Sequence, residues 1–139
     1  MIHSSLSREY HFSAAHRLNS KALSGDENIR IYDKCNNLNG HGHDYTLIVT
    51  LCAAPDKITG MIIPLSEMDK AVHRVIDKLA YKHLNKEVPY FMDKISTAEN
   101  IIRFLWDELE AALPAEKLHH LKLWETNNNY FEYGKERCS

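Results

Sequence analysis

Two histidines one residue apart, His41 and His43, with a third, His16, upstream, are the residues of this 139-residue chain best spaced for chemistry. On a strand, residues two apart face the same side, so His41 and His43 can present both imidazoles to one point in space. If the chain between them and His16 returns antiparallel, His16 comes opposite the pair. Three neutral imidazoles around one point suit Zn2+, with bonds of about 2.0–2.1 Å, and three protein ligands leave a fourth position for water or substrate. That is the pattern of a catalytic site. Spacing alone leaves a second reading open, a chance His-x-His pair on a polar strand. The chain has nine histidines, and His3, His11, His73, His119 and His120 read equally well as surface or half-buried residues.

The elements that must position these side chains follow from periodicity. Leu6, Arg8, Tyr10 and Phe12 alternate with Ser7, Glu9, His11 and Ser13, which predicts a strand over 5–16 that ends on His16. Residues 17–40 hold Asn, Asp, Ser and Gly with little periodicity and read as a long excursion closing on Asn39-Gly40. A loop of that length in a compact domain is usually functional. Residues 41–52, rich in Thr, Val, Ile and Tyr, form the second strand of an antiparallel pair. After a turn at Thr59-Gly60, Ser66 is placed to cap a helix that opens with Glu67 and Asp69 and carries Met68, Val72, Val75, Ile76 and Leu79 on one face. Ser96-Thr97-Ala98-Glu99 is a capping-box pattern ahead of Ile101, Ile102, Leu105, Leu109 and Leu113, with Pro114 as a stop. Residues 118–126 and 130–133 flank Asn127-Asn128-Asn129 as a closing hairpin. The expected order is ββααββ, an α+β fold.

The totals bound the function. With 139 residues and 44% hydrophobic content the chain supports one domain, 1–139. A formal net charge of −2 with 26% charged residues writes no polyanion-binding surface into the composition, so no nucleic-acid partner is expected. The opening residues MIHSSLSREYHF lack the apolar core of a signal peptide, and no stretch is apolar enough for a membrane span. The expectation is a soluble cytoplasmic protein with no membrane partner. Cys35, Cys52 and Cys138 are an odd number at spacings unlike a disulfide framework, and free thiols are expected.

The stretch Cys35-Asn36-Asn37-Leu38-Asn39-Gly40-His41-Gly42-His43 resembles the C-N-N-x-N-G-H-G-H signature of 6-pyruvoyl-tetrahydropterin synthases. Around it, in that family's order, stand Phe12 to Leu18, Thr59-Gly60-Met61, Val88-Pro89-Tyr90-Phe91, Ser96 to Asn100 and Glu125-Thr126. The resemblance covers nearly the whole chain. It implies the tunnelling fold (T-fold), an antiparallel four-stranded sheet with two helices on one face, assembled as a homo-hexamer of two trimers with interfacial active sites. It also implies a small-molecule pterin partner, 7,8-dihydroneopterin triphosphate, whose side chain loses a proton and then triphosphate. By the same resemblance His16, His41 and His43 hold zinc, Cys35 is the catalytic base, and Glu125 anchors the pterin ring. Thr97 and Glu99 fall where the family has further pocket residues. Glu125 shares strand parity with Leu121 and Leu123, so it should point inward, where an unpaired carboxylate is costly unless a ligand meets it. A carboxylate is acceptor-only and matches the paired donors of a pterin edge.

One segment departs from the family. Members carry an Asp-His pair in L-D-H-(K/R)-x-L-(N/D), and this chain reads Leu79-Ala80-Tyr81-Lys82-His83-Leu84-Asn85. Alanine cannot titrate, and a phenol of pKa about 10 is a poor base near neutrality. The resemblance therefore implies a lyase with impaired proton handling. Its alternatives are the related 6-carboxytetrahydropterin synthase of queuosine biosynthesis and a pterin-binding protein without turnover.

Overall fold

Alternation of apolar and polar residues becomes a long two-stranded ladder in the computed structural model of the chain, which describes residues 3–136 and residue 138. Residues 1, 2, 137 and 139 of the expected 1–139 domain lie outside the described residues. Strand β1, Ser4–His16, buries Tyr10, Phe12, Ala14 and His16 at every second position. Strand β2, His41–Ala53, pairs with it antiparallel along its whole length, from Ser4 opposite Ala53 to His16 opposite His41. Strands β3, Leu118–Trp124, and β4, Tyr130–Gly134, extend the sheet in the order β1-β2-β3-β4. The register between β2 and β3 shifts at Thr50/Leu51.

Helix α1, Gly25–Tyr32, precedes β2, whereas α2, Leu65–Ile76, the single turn α3, Leu84–Glu87, and α4, Ala98–Ala112, lie between β2 and β3. Met68, Val72, Val75 and Ile76 of α2 and Ile101, Leu105 and Leu109 of α4 are buried in one cluster with Tyr45, Leu47, Val49, Leu121 and Leu123 of the sheet. This is the α+β T-fold arrangement, with the two long helices on one face and the expected ββααββ order of the main elements. No helix among the described residues is long and apolar enough to cross a membrane.

Four local expectations need correcting. The excursion 17–40 contains α1, opened by a full capping box between Ser24 and Glu27, and then a 3₁₀ turn, Asp33–Asn36. Its apolar residues face solvent, Ile29 at 61% and Ile31 at 52% exposure, so there was no core-facing stripe to read. What the helix buries is Asn28, whose side chain bonds the backbone of Ser20, Leu23 and Ser24. Helix α2 begins at Leu65 behind Pro64, which leaves Ser66 in the first turn without a capping role. Helix α4 is capped by Thr97, whose hydroxyl accepts from Asn100 N–H, one residue beyond the Ser96 start. Finally, Cys52 and Cys138 are bonded as a disulfide with Cα atoms 5.8 Å apart, which leaves Cys35 as the free thiol. Folding sets that separation inside the usual disulfide range, and a sequence separation of 86 gives no sign of it.

Candidate metal centre

Register brings the three histidines together. His16 ends β1 directly opposite His41, and His43 follows two residues along β2 on the same face. One ring nitrogen from each of the three lies within 4.8 Å of the others. His16 is 1% exposed, and its Nδ1–H donates to the carbonyl of Ser96 at 2.6 Å. That bond fixes the tautomer and leaves the Nε2 lone pair of His16 facing Nε2 of His41 at 3.0 Å. Two nitrogens on a tetrahedral zinc stand about 3.3 Å apart, given bonds of about 2.0–2.1 Å. His43 Nε2 is buried with no hydrogen-bond partner. His41 Nδ1 is likewise buried without a partner, and orphaned imidazole nitrogens beside a closely opposed Nε2 pair are costly without a shared cation, so the donor set fits zinc.

Burial pushes the His16 pKa down from 6.5 to about 4, with the neighbouring His41 and His43 adding to the shift, and burial lowers His41 and His43 in the same direction. All three are neutral at pH 7, the form in which an imidazole can bind a metal. An unfolded chain takes up the His16 proton near 6.5 and the folded chain only near 4, so the metal-free protein loses stability as pH falls through that window. The gap corresponds to roughly 3 kcal/mol. Urea unfolding of metal-free protein at pH 7.0, 5.5 and 4.0 is expected to show this fall, while a His16→Gln variant shows a shallower one.

The remaining expected groups are placed differently with respect to the triad. Glu125 follows β3 at 16% side-chain exposure, with Oε2 3.9 Å from His16 Nε2. Burial raises its pKa, opposed by a hydrogen bond from Asn129 and by the nearby His41. Cys35 lies in the 3₁₀ turn, which is tied to the exit of β1: its carbonyl accepts from Leu18 N–H at 2.8 Å, and the Asn36 amide donates to Leu18 O at 2.7 Å. Burial raises the Cys35 pKa, and the charges of Glu125 and Asp33 add to that. The protein surroundings alone therefore oppose a thiolate, and a cation is needed to favour it. Thr97 is half-buried and occupied as the α4 cap, while Glu99 is exposed and reaches Glu125 only through its charge.

Gly40 holds the approach to the triad. Its φ is +77°, and a side chain there would meet His83 Nε2 at 2.9 Å and the His16 carbonyl at 3.0 Å. Ala80 is half-buried against the core, and Tyr81 has φ of +61° and is 91% exposed, with its N–H bonded to Ser13 O at 2.6 Å. Tyr81 and His43 line one open cavity of about 390 Å3 together with Ser13, Gly42 and His83.

Sequence reasoning missed two contributors. Tyr45 is buried with an unpartnered hydroxyl, and burial and the charges of Glu125 and Cys35 raise its pKa. Its parity with His41 and His43 is the available signal. The second is the Ser96 carbonyl, which a residue name does not announce. His83, in the segment that departs from the family, pairs with Ala15 in an isolated bridge and has a buried and unpartnered Nδ1.

A three-histidine cluster at the end of an antiparallel sheet, with a carboxylate beside it, is a donor set able to hold a metal ion in an α+β protein. Residues 5–136 match the family model of 6-pyruvoyl tetrahydropterin synthase, and the chain belongs to that family. It is 44% identical to human 6-pyruvoyl tetrahydrobiopterin synthase over 132 residues, 94% of this chain and 91% of that one. It is 42% identical to the Drosophila melanogaster protein of the same name, over 92% of this chain and 77% of that one. The solved structure of Caenorhabditis elegans 6-pyruvoyl tetrahydropterin synthase superposes with a TM-score of 0.93 at 35% identity, covering 98% of each chain.

Proposed function

We propose that this chain is a zinc-dependent carbon–oxygen lyase that acts on 7,8-dihydroneopterin triphosphate, eliminating triphosphate and tautomerising the side chain as a 6-pyruvoyl-tetrahydropterin synthase does. The observation that carries the reading is the convergence of His16, His41 and His43 with Cys35 and Glu125 in a chain of this family. The names of the relatives favour the pyruvoyl branch over the 6-carboxy one.

Glu125 accepts hydrogen bonds from the amino and ring N–H donors of the pterin and fixes the ring beside the triad. His16, His41 and His43 would hold zinc, which when bound would supply Lewis-acid polarisation of the side-chain oxygens. Cys35, as thiolate, takes the proton from the side-chain carbon next to the ring, whose electron pair passes into the ring C=N bond; that carbon then becomes a carbonyl, and loss of the proton from the second carbon expels triphosphate from the third as the carbon–oxygen bond breaks. Glu99 adds negative charge near Glu125, and Thr97 holds the start of α4 at the pocket wall. The outer edges of β1 and β4 are where further strands would add, which supports a homo-hexamer joined through sheet edges.

A second reading, a pterin-binding protein without turnover, draws on Ala80 and on the exposed phenol of Tyr81. Zinc-loaded protein incubated with 7,8-dihydroneopterin triphosphate separates the two. The lyase reading expects triphosphate release that falls by about 10²-fold or more in Cys35→Ala, without acetaldehyde. Saturable pterin binding with no release would establish the second reading and end the first.

A further inference from the structure

The disulfide between Cys52 and Cys138 fastens parts of the sheet that the strand ladder leaves apart. Among the described residues β4 pairs only with β3, and none of its five residues is fully buried, although Phe131 and Tyr133 pack against the core from one side. At Gly134 the chain crosses β3. Its φ is +150°, and a side chain there would meet the His119 carbonyl at 2.5 Å and the His120 Cα at 2.8 Å, so the crossing needs glycine. Lys135 N–H then donates to His119 O at 2.9 Å. Cys138 is bonded to Cys52 of β2, and its Sγ lies 3.7 Å from Ser4 O of β1. The strap from Gly134 to Cys138 therefore joins the outer strand to the β1–β2 pair, at the end of the sheet where Ser4 faces Ala53. The metal centre, where His16 faces His41, is at the other end.

The two sulfurs differ in ways that decide how the bond breaks. Cys52 is buried in β2, at 9% exposure, whereas Cys138 is half-buried and open to attack. In thiol–disulfide exchange a thiolate strikes one sulfur while the other departs, and departure is faster when the leaving thiolate is favoured. The exposed His3 places Nδ1 3.9 Å from Cys52 Sγ, where an imidazole can supply positive charge or a proton to the departing sulfur. The accessible sulfur and the assisted leaving group thus fall on opposite sides of one bond. Accessible disulfides of this kind are the labile ones.

We infer that the Cys52–Cys138 pair is a thiol-exchange site, a reducible clasp that holds β4 and its strap against the rest of the sheet. A low-molecular-weight thiol, as thiolate, attacks Cys138 Sγ; the S–S bond breaks, and Cys52 leaves with the electron pair and takes up a proton. The product is a mixed disulfide on Cys138. A dithiol completes the reduction, because its second thiolate attacks its own sulfur in that mixed disulfide and releases Cys138, which is protonated in turn. The two cysteines gain two electrons and two protons, and the dithiol is oxidised to a cyclic disulfide. With the clasp open, β4 keeps its ladder to β3 and the contacts of Phe131 and Tyr133, and it opens more often. Since β4 is one of the outer edges of the sheet, the clasp sets how firmly that edge is presented. The inference goes beyond the lyase reading and does not depend on it.

Air-oxidised protein is first counted for thiols under denaturing conditions, where one, Cys35, is expected before reduction and all three cysteines after it. Dithiothreitol is then added to the native protein, and the bond is expected to open at a rate within about tenfold of that in urea. Hydrogen exchange followed by mass spectrometry reads the consequence. After native reduction the β4 amides, 130–134, are expected to exchange about tenfold or more faster, while those of Leu47 and Val49 in β2 stay within about twofold. Cys138→Ser reproduces the fast β4 exchange with or without dithiothreitol, which separates the clasp from any other effect of the reductant. Three free thiols before reduction, a bond that yields only in denaturant, β4 exchange that reduction leaves unchanged, or equal acceleration through all four strands overturns the inference.

Discussion

Ala80→Asp combined with Tyr81→His is expected to raise the rate of triphosphate release by about 10²–10⁴-fold, the usual worth of a positioned acid–base group. The backbone is already prepared for it. Tyr81 sits at φ of +61°, a region that histidine enters more readily than tyrosine, and its N–H is anchored to Ser13 O at 2.6 Å in β1. The phenol is 91% exposed at the rim of the cavity that contains His43, so an imidazole replaces it without repacking the core. Ala80 is half-buried against the core, so an aspartate there loses part of its hydration and gains from a charged imidazole next to it. Single-turnover kinetics with zinc-loaded protein read the change. An unaltered rate in a folded variant would mean that proton handling has moved elsewhere, with the unpartnered His83 the first group to replace.

Glu125→Gln tests the other end of the substrate. A hydrogen bond to a charged partner is worth about 1.5–3 kcal/mol, and glutamine turns one acceptor oxygen into a donor that faces a donor. Pterin affinity is expected to fall about 10- to 150-fold while zinc content stays the same. The second half of that statement matters, because Glu125 Oε2 is only 3.9 Å from His16 Nε2 and could instead complete the metal's ligands. Loss of zinc from the variant would make Glu125 a fourth ligand and close the site to substrate. Because burial raises the Glu125 pKa, pterin affinity should also weaken toward acid pH sooner than for an exposed glutamate.

What could be read from the sequence was whatever leaves a period. The β1–β2 ladder alternates Tyr10, Phe12, Ala14 and His16 against polar neighbours, and the register that follows places His16 opposite His41. The two long helices announced themselves by their buried stripes, although their caps did not. Ser96 looked like a cap but its hydroxyl bonds Asn85 Oδ1 at 3.1 Å, and the capping oxygen belongs to Thr97. Helix α1 left no period because it buries an asparagine rather than an apolar face. The disulfide between Cys52 and Cys138 depends on where the chain end folds back, which no local pattern encodes. Within the site, His-x-His and strand parity pointed to the triad, and the roles of Cys35 and Glu125 needed the family resemblance. Tyr45 was available by parity with His43 and went unread.

The bond from His16 Nδ1–H to the Ser96 carbonyl has a consequence for how this site tolerates mutation. A backbone oxygen survives every substitution at its own position, so the ring's orientation is stored in the path of the chain and not in the chemistry of residue 96. Ser96 is wholly buried, and its limits are set by volume and by the hydroxyl's bond to Asn85 Oδ1 rather than by the metal ligand it orients. In a saturation scan it would score as a packing position, accepting alanine or cysteine and rejecting anything larger, although it holds a metal ligand in place. Sequence comparison among relatives would undervalue it for the same reason, while a deletion or insertion nearby, which shifts the carbonyl without removing any named side chain, would silence the centre.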